Sequence, residues 1–209
     1  MNIETDHQPP FYTEERPMKH FRNGTLATAL AATLVATLLA ACSDDPSTGP
    51  DAPEHEEPNK VVVKLTNTAN ASDTVTATFF DADGDGGDTP TIDTLRLANN
   101  ASYSGTVRLY HQHGSSSEEL TADVERLKDE HQFFYSAKDG IAGRLFITPT
   151  DKDSKNLPVG LRFTAVVGNG APATGTLNVV LGHFDEVVKD GIARSPESDV
   201  SVDFPVVVK

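Results

Sequence analysis

The chain of 209 residues has one cysteine and no tryptophan, and its 17 lysines and arginines are outnumbered by 31 aspartates and glutamates. With a single cysteine no disulfide forms within the chain, so any folded domain is held by apolar packing. The lack of tryptophan, with only 4 tyrosines and 10 phenylalanines, gives little material for a sugar-stacking cleft. A formal charge of −14 disfavours nucleic acid and adsorption to anionic lipid. Such a field attracts cations, or it serves only solubility. Serine-elbow, phosphate-loop and dinucleotide-loop motifs are missing, as are HExxH and paired CxxC spacings, and a non-catalytic protein is the expectation.

One stretch stands apart from this acidic background. Thr25 to Ala41 is an uncharged run of about 17 mostly small or apolar residues, ending in Leu39-Ala40-Ala41 before the lone Cys42. Met18-Lys19-His20-Phe21-Arg22 precedes it with the positive charge of an export signal, whereas Glu4, Asp6, Glu14 and Glu15 do not suit one. The pattern predicts that residues 1–17 are a mis-assigned extension and 18–41 a signal peptide. It resembles the bacterial lipoprotein signal, which implies acylation of Cys42 and a membrane tether made by lipid. An uncleaved spanning anchor is the alternative. Ser43-Asp44-Asp45 resembles the acidic tether that sends Bacteroidetes-type lipoproteins to the cell surface. Residues 42–60 read as an acidic, proline-rich flexible linker.

From Val61 onward the sequence alternates in short apolar rows separated by turn residues. Val61, Val63 and Leu65 form the first row, and Val75, Ala77 and Phe79 the second. Later rows are Leu161-Phe163-Ala165-Val167, Leu177-Val179-Leu181 and Val200-Val202-Phe204-Val206. About nine strands in residues 61–209 predict one all-β domain, an antiparallel immunoglobulin-like β-sandwich, with a small β-barrel as the alternative. A single helix is expected after Ser115-Ser116, where Glu118 and Glu119 stand at capping-box spacing, with Leu120, Val124 and Leu127 as its apolar stripe to about Glu130. Phe133-Phe134-Tyr135 reads as core.

Asp81-Ala82-Asp83-Gly84-Asp85-Gly86-Gly87-Asp88, Asp129 to Tyr135, Gly160 to Phe163 and Thr176 to His183 together resemble small Bacteroidetes-type lipoproteins labelled as a type 1 periplasmic binding fold superfamily. The resemblance implies a lipid-anchored extracytoplasmic binding protein of the outer membrane, on its periplasmic face or at the cell surface. Strand pattern and length argue against two α/β domains with crossover helices, so the fold expectation stays the sandwich.

Two constellations are candidate metal sites. Asp81, Asp83, Asp85 and Asp88 offer alternating carboxylates in a glycine-rich loop, a Ca²⁺ candidate whose bland alternative is an ordinary polar turn. His111 and His113 extend the inward row of Val107 and Leu109, and His183 extends that of Leu177, Val179 and Leu181. If those strand ends share one end of the sandwich, His111, His113 and His183 meet there with His131 or Glu130 nearby, a Zn²⁺ or Cu²⁺ candidate. Separate rim histidines are the alternative. The sequence therefore predicts a non-catalytic protein that binds a metal ion or small ligand for an outer-membrane transporter. A structural or adhesive surface module rigidified by Ca²⁺ is the second expectation.

Overall fold

The computed structural model describes residues 57–84 and 86–209, all within one compact unit, Asp51–Lys209. The extension, the signal peptide, Cys42, most of the linker and Asp85 lie outside the described residues. Eleven strands and one helix follow in chain order: β1 (Lys60–Asn67), β2 (Thr74–Phe80), β3 (Thr91–Ile92), β4 (Leu95–Leu97), β5 (Ser102–His113), β6 (Ser116–Glu119), α1 (Thr121–Arg126), β7 (His131–Asp139), β8 (Leu145–Pro149), β9 (Arg162–Val167), β10 (Ala173–His183) and β11 (Glu197–Val208). None of the described helices is long and apolar enough to cross a membrane.

The strands make two sheets that do not close into a barrel, a β-sandwich. One runs β3-β2-β1-β5-β9-β8, with β6 also paired to β5; the other runs β4-β11-β10-β7. Alternation dictates the interior. Val61, Val63 and Leu65 of β1, Val107 and Leu109 of β5 and Phe163, Ala165 and Val167 of β9 are buried against Leu177, Val179 and Leu181 of β10 and Val202, Phe204 and Val206 of β11. Each of the buried valines, leucines and phenylalanines contributes about 1.5–3 kcal/mol on leaving water. Gly105 of β5 makes room for Phe163: a Cβ there would stand 2.2 Å from the ring.

Two expectations are corrected. Between β2 and β5 the chain forms two short strands, β3 pairing with β2 and β4 pairing in parallel with β11, so the sandwich is not wholly antiparallel. Ser116 to Glu119 is not a helix start. It folds back on β5 as β6, with Tyr110 opposite Glu119 and His113 opposite Ser116, across a turn where Gly114 has φ 58°. Arg108 reinforces the hairpin at 3.0 Å from Glu119. Strand pairing thus takes the residues of the capping box, and α1 is left with six residues and Leu120 as a cap that makes no side-chain hydrogen bond. Its apolar stripe survives, with Leu120 and Val124 joining the core at one end of the sandwich.

The segment between β10 and β11 straps the outer face of β7 and β10. Phe184 packs near Phe134 at 6.2 Å between ring centroids, and the Arg194 guanidinium lies 5.9 Å from the Phe134 ring. Lys189 pins the strap. Its buried Nζ donates to Lys128 O at 2.8 Å and His131 O at 2.9 Å, and stands 2.9 Å from Asp153 Oδ2. Asp153 Oδ1 accepts from the amides of Lys155 and Leu157. Burial alone would raise the Asp153 carboxyl, but Lys189 and these amides outweigh it and hold it below its ordinary value.

Removing one partner of a buried ion pair leaves the other uncompensated. Lys189→Met is expected to cost about 3–5 kcal/mol in urea unfolding, with Asp153→Asn/Lys189→Met recovering most of it; a cost for the single variant within experimental error of zero contradicts the clamp. Because the folded carboxyl titrates below the unfolded value of about 3.9, its contribution is fully present above that pH and fades as pH falls through the depressed value. Acid unfolding of Asp153→Asn should therefore be less steep than that of the parent protein.

Candidate metal centre at the strand ends

His131 opens β7 and His183 closes β10, and the antiparallel register sets the two directly opposite one another. Both continue inward rows, His131 in phase with Phe133 and His183 with Leu181, so their imidazoles emerge on the same side of the sheet. The rings stack with centroids 4.7 Å apart and planes 12° from parallel.

The third member comes from a break in the sheet. Leu181 pairs with Val200 but Gly182 pairs with Ser198, so Asp199 is the extra residue of a β-bulge. Strict alternation from Val200 and Val202 would send Asp199 outward with Ser201 and Asp203. The bulge re-aims it instead, placing Oδ2 at 3.3 Å from His131 Nε2 and Oδ1 at 3.4 Å from His183 Nδ1.

His131 Nδ1 lies 2.9 Å from Leu127 O, which can only accept, so Nδ1 carries the hydrogen. In the neutral ring Nε2 is then a lone pair facing a carboxylate oxygen. Two acceptors cannot bond each other, so a proton or a metal cation must lie between them. Burial alone would lower the His131 pKa. The hydrogen bonds to Asp199 and Leu127 O, with the negative charges of Asp199 and Glu130, reverse that and raise it above the ordinary value.

The spacing also fits a metal. Ligand atoms about 2.05 Å from a tetrahedral ion stand about 3.3 Å from one another. One ligand atom each of His131, His183 and Asp199 lies within 4.8 Å of the others, as for His183, Asp185 and Glu197 at the more exposed rim, and because the two rings stack, one imidazole has to turn for both in-plane lone pairs to meet a single ion. Leu127 O fixes the tautomer of the buried His131 with Nε2 free to face an ion, as a carbonyl or carboxylate behind a metal-bound histidine does. Two imidazoles and one carboxylate suit Zn²⁺ or Cu²⁺ better than Ca²⁺.

Comparison of the chain with protein-family models, with curated proteins and with solved structures returns no match.

Of the four histidines picked from sequence, His131 and His183 come together. His111 and His113 line an open cleft of about 1290 Å³ that His183 and Asp199 also line, so all four do lie at one end of the sandwich. Among the described residues, however, neither belongs to a metal-type donor group, and His111 Nδ1 is engaged with Glu57 O at 2.9 Å. Asp81, Asp83 and Asp88 do not appear in such a group either. Asp81 accepts from the Gly84 amide at 3.0 Å and Asp83 from the Asp88 amide at 2.7 Å, which is turn chemistry.

In the metal-free protein the His131 imidazole should titrate above 6.5 by NMR, and Asp199→Asn should bring it down. Its raised value adds stability that is complete below the unfolded pKa and is lost as pH rises through the folded one. A His131 that titrates unchanged in Asp199→Asn contradicts the pairing.

Proposed function

We propose that this protein is a lipid-anchored, extracytoplasmic binding protein that captures a divalent transition-metal ion, Zn²⁺ or Cu²⁺, at His131, His183 and Asp199, for an outer-membrane transporter. The observation that carries the metal reading is the 3.3 Å separation of His131 Nε2 from Asp199 Oδ2, which a neutral His131 with its hydrogen on Nδ1 cannot satisfy without a cation or a further proton, with His183 Nδ1 3.4 Å from Asp199 Oδ1 beside it. The acidic charge of the chain favours cation arrival. Export and lipidation rest on the run ending in Leu39-Ala40-Ala41-Cys42 and the positive residues before it.

An ion bound only by the folded state, at about 100 times its Kd, adds about 2.7 kcal/mol, or about 5–10 °C at this size. Zn²⁺ or Cu²⁺ should give that rise after chelator treatment, and His131→Ala or Asp199→Ala should remove it while His111→Ala keeps it. A rise with Ca²⁺ alone, lost in Asp83→Ala, would instead support the surface module with a rigidified loop. Cys42→Ser should release the protein from the membrane fraction and end incorporation of labelled palmitate; retention in the membrane with no label contradicts the lipid anchor.

A further inference from the structure

The donor set opens onto a second feature of the same end. His131, His183 and Asp199 line a cavity of about 400 Å³ whose remaining walls include Leu109, Leu120, Val124, Leu127 and Leu181. Three protein ligands leave at least one position open on a four-coordinate ion, and more on a five- or six-coordinate one. Apolar walls around an ion exclude water, and where they enclose space beside an open coordination position they can also take an organic body. A cavity of this size matches the small end of organic-ligand sites, mostly apolar with a few convergent polar groups.

Charge narrows the class of ligand. Glu57, Glu118, Asp123 and Glu130 stand around this cavity, against one arginine, Arg126, which is already bridged to Asp123 at 2.9 Å. Such a rim repels carboxylates and other anionic chelators and admits neutral or cationic molecules. Neutral nitrogen donors meet that condition, and they coordinate the metals that imidazole sites hold.

We propose that the metal at His131, His183 and Asp199 tethers a small organic molecule with a neutral nitrogen donor and an apolar body, the donor completing the coordination and the body filling the cavity against Leu120, Val124 and Leu127. This rests on the metal reading above. The protein then recognises a metal–ligand adduct rather than a bare ion, with the leucine and valine walls selecting the body and the acidic rim selecting its charge.

The test uses the full chain loaded with Co²⁺, whose visible absorption reports ligands added to the ion. Imidazole, 4-phenylimidazole and phenylacetate are titrated in turn. Burial of the phenyl ring should make 4-phenylimidazole bind about ten- to a hundredfold more tightly than imidazole, and phenylacetate should bind more weakly than either. Val124→Trp, or Leu127→Trp at the half-buried wall should the first variant not fold, fills the cavity and should erase the phenyl advantage while leaving the cobalt spectrum. Equal affinity for imidazole and 4-phenylimidazole, an advantage that survives in the folded Trp variant, or tight binding of phenylacetate overturns this inference and leaves the metal site standing. Absence of a cobalt spectrum overturns the metal reading itself, and this inference with it.

Discussion

The pairing of β10 with both of its neighbours is the constraint from which the functional end of this protein follows. On one side the register with β7 is unbroken, and it delivers His183 opposite His131. On the other the register with β11 breaks once, between Leu181 and Gly182, and the surplus residue is Asp199. A regular ladder would have left the carboxylate in solvent on the opposite face. One inserted residue, beside a strand packed on both edges, converts two stacked imidazoles into a three-donor group.

The surroundings hold this group in place with groups that themselves have partners. The Leu127 carbonyl, at the end of α1, accepts the hydrogen bond of His131 Nδ1–H. The His131 carbonyl takes a hydrogen bond from Lys189, whose charge is met by Asp153. Phe184 donates its amide to Glu130 O and Phe133 donates its amide to Val159 O, so both ends of the ligand-bearing turn are tied to other segments. The short helix roofs the site with Leu120 and Val124. His131 held this way has little freedom left to lose if an ion binds.

Much of the sandwich was legible because period-two alternation is a strong signal wherever one face is buried. The rows at Val61, Leu177 and Val200 are strands with the predicted faces inward. The helix was overstated for a physical reason: Ser115 to Glu119 has the composition of a cap, but β5 runs far enough to offer a pairing edge, and the edge takes those residues. His183 was legible as the end of an inward row. Asp199 was not, since the alternation used to find strands assigns it to the wrong face and nothing in Ser198-Asp199-Val200 marks a bulge. Lys189 was hidden similarly, as a lysine in a polar loop between two exposed residues, Val188 and Asp190, that becomes one of the best-buried charges in the domain. Bulges and buried ion pairs depend on residues distant in the chain, which a local pattern does not contain.

The measurement that bears most directly on the central claim is a crystal of the protein soaked with Zn²⁺ and recorded at the zinc absorption edge. The account predicts one strong anomalous peak bounded by His131 Nε2, an imidazole nitrogen of His183 and an oxygen of Asp199, each about 2.0–2.2 Å from the ion. No peak at these residues, or zinc held only between His111 and His113 or in the Asp81–Asp88 loop, would contradict it.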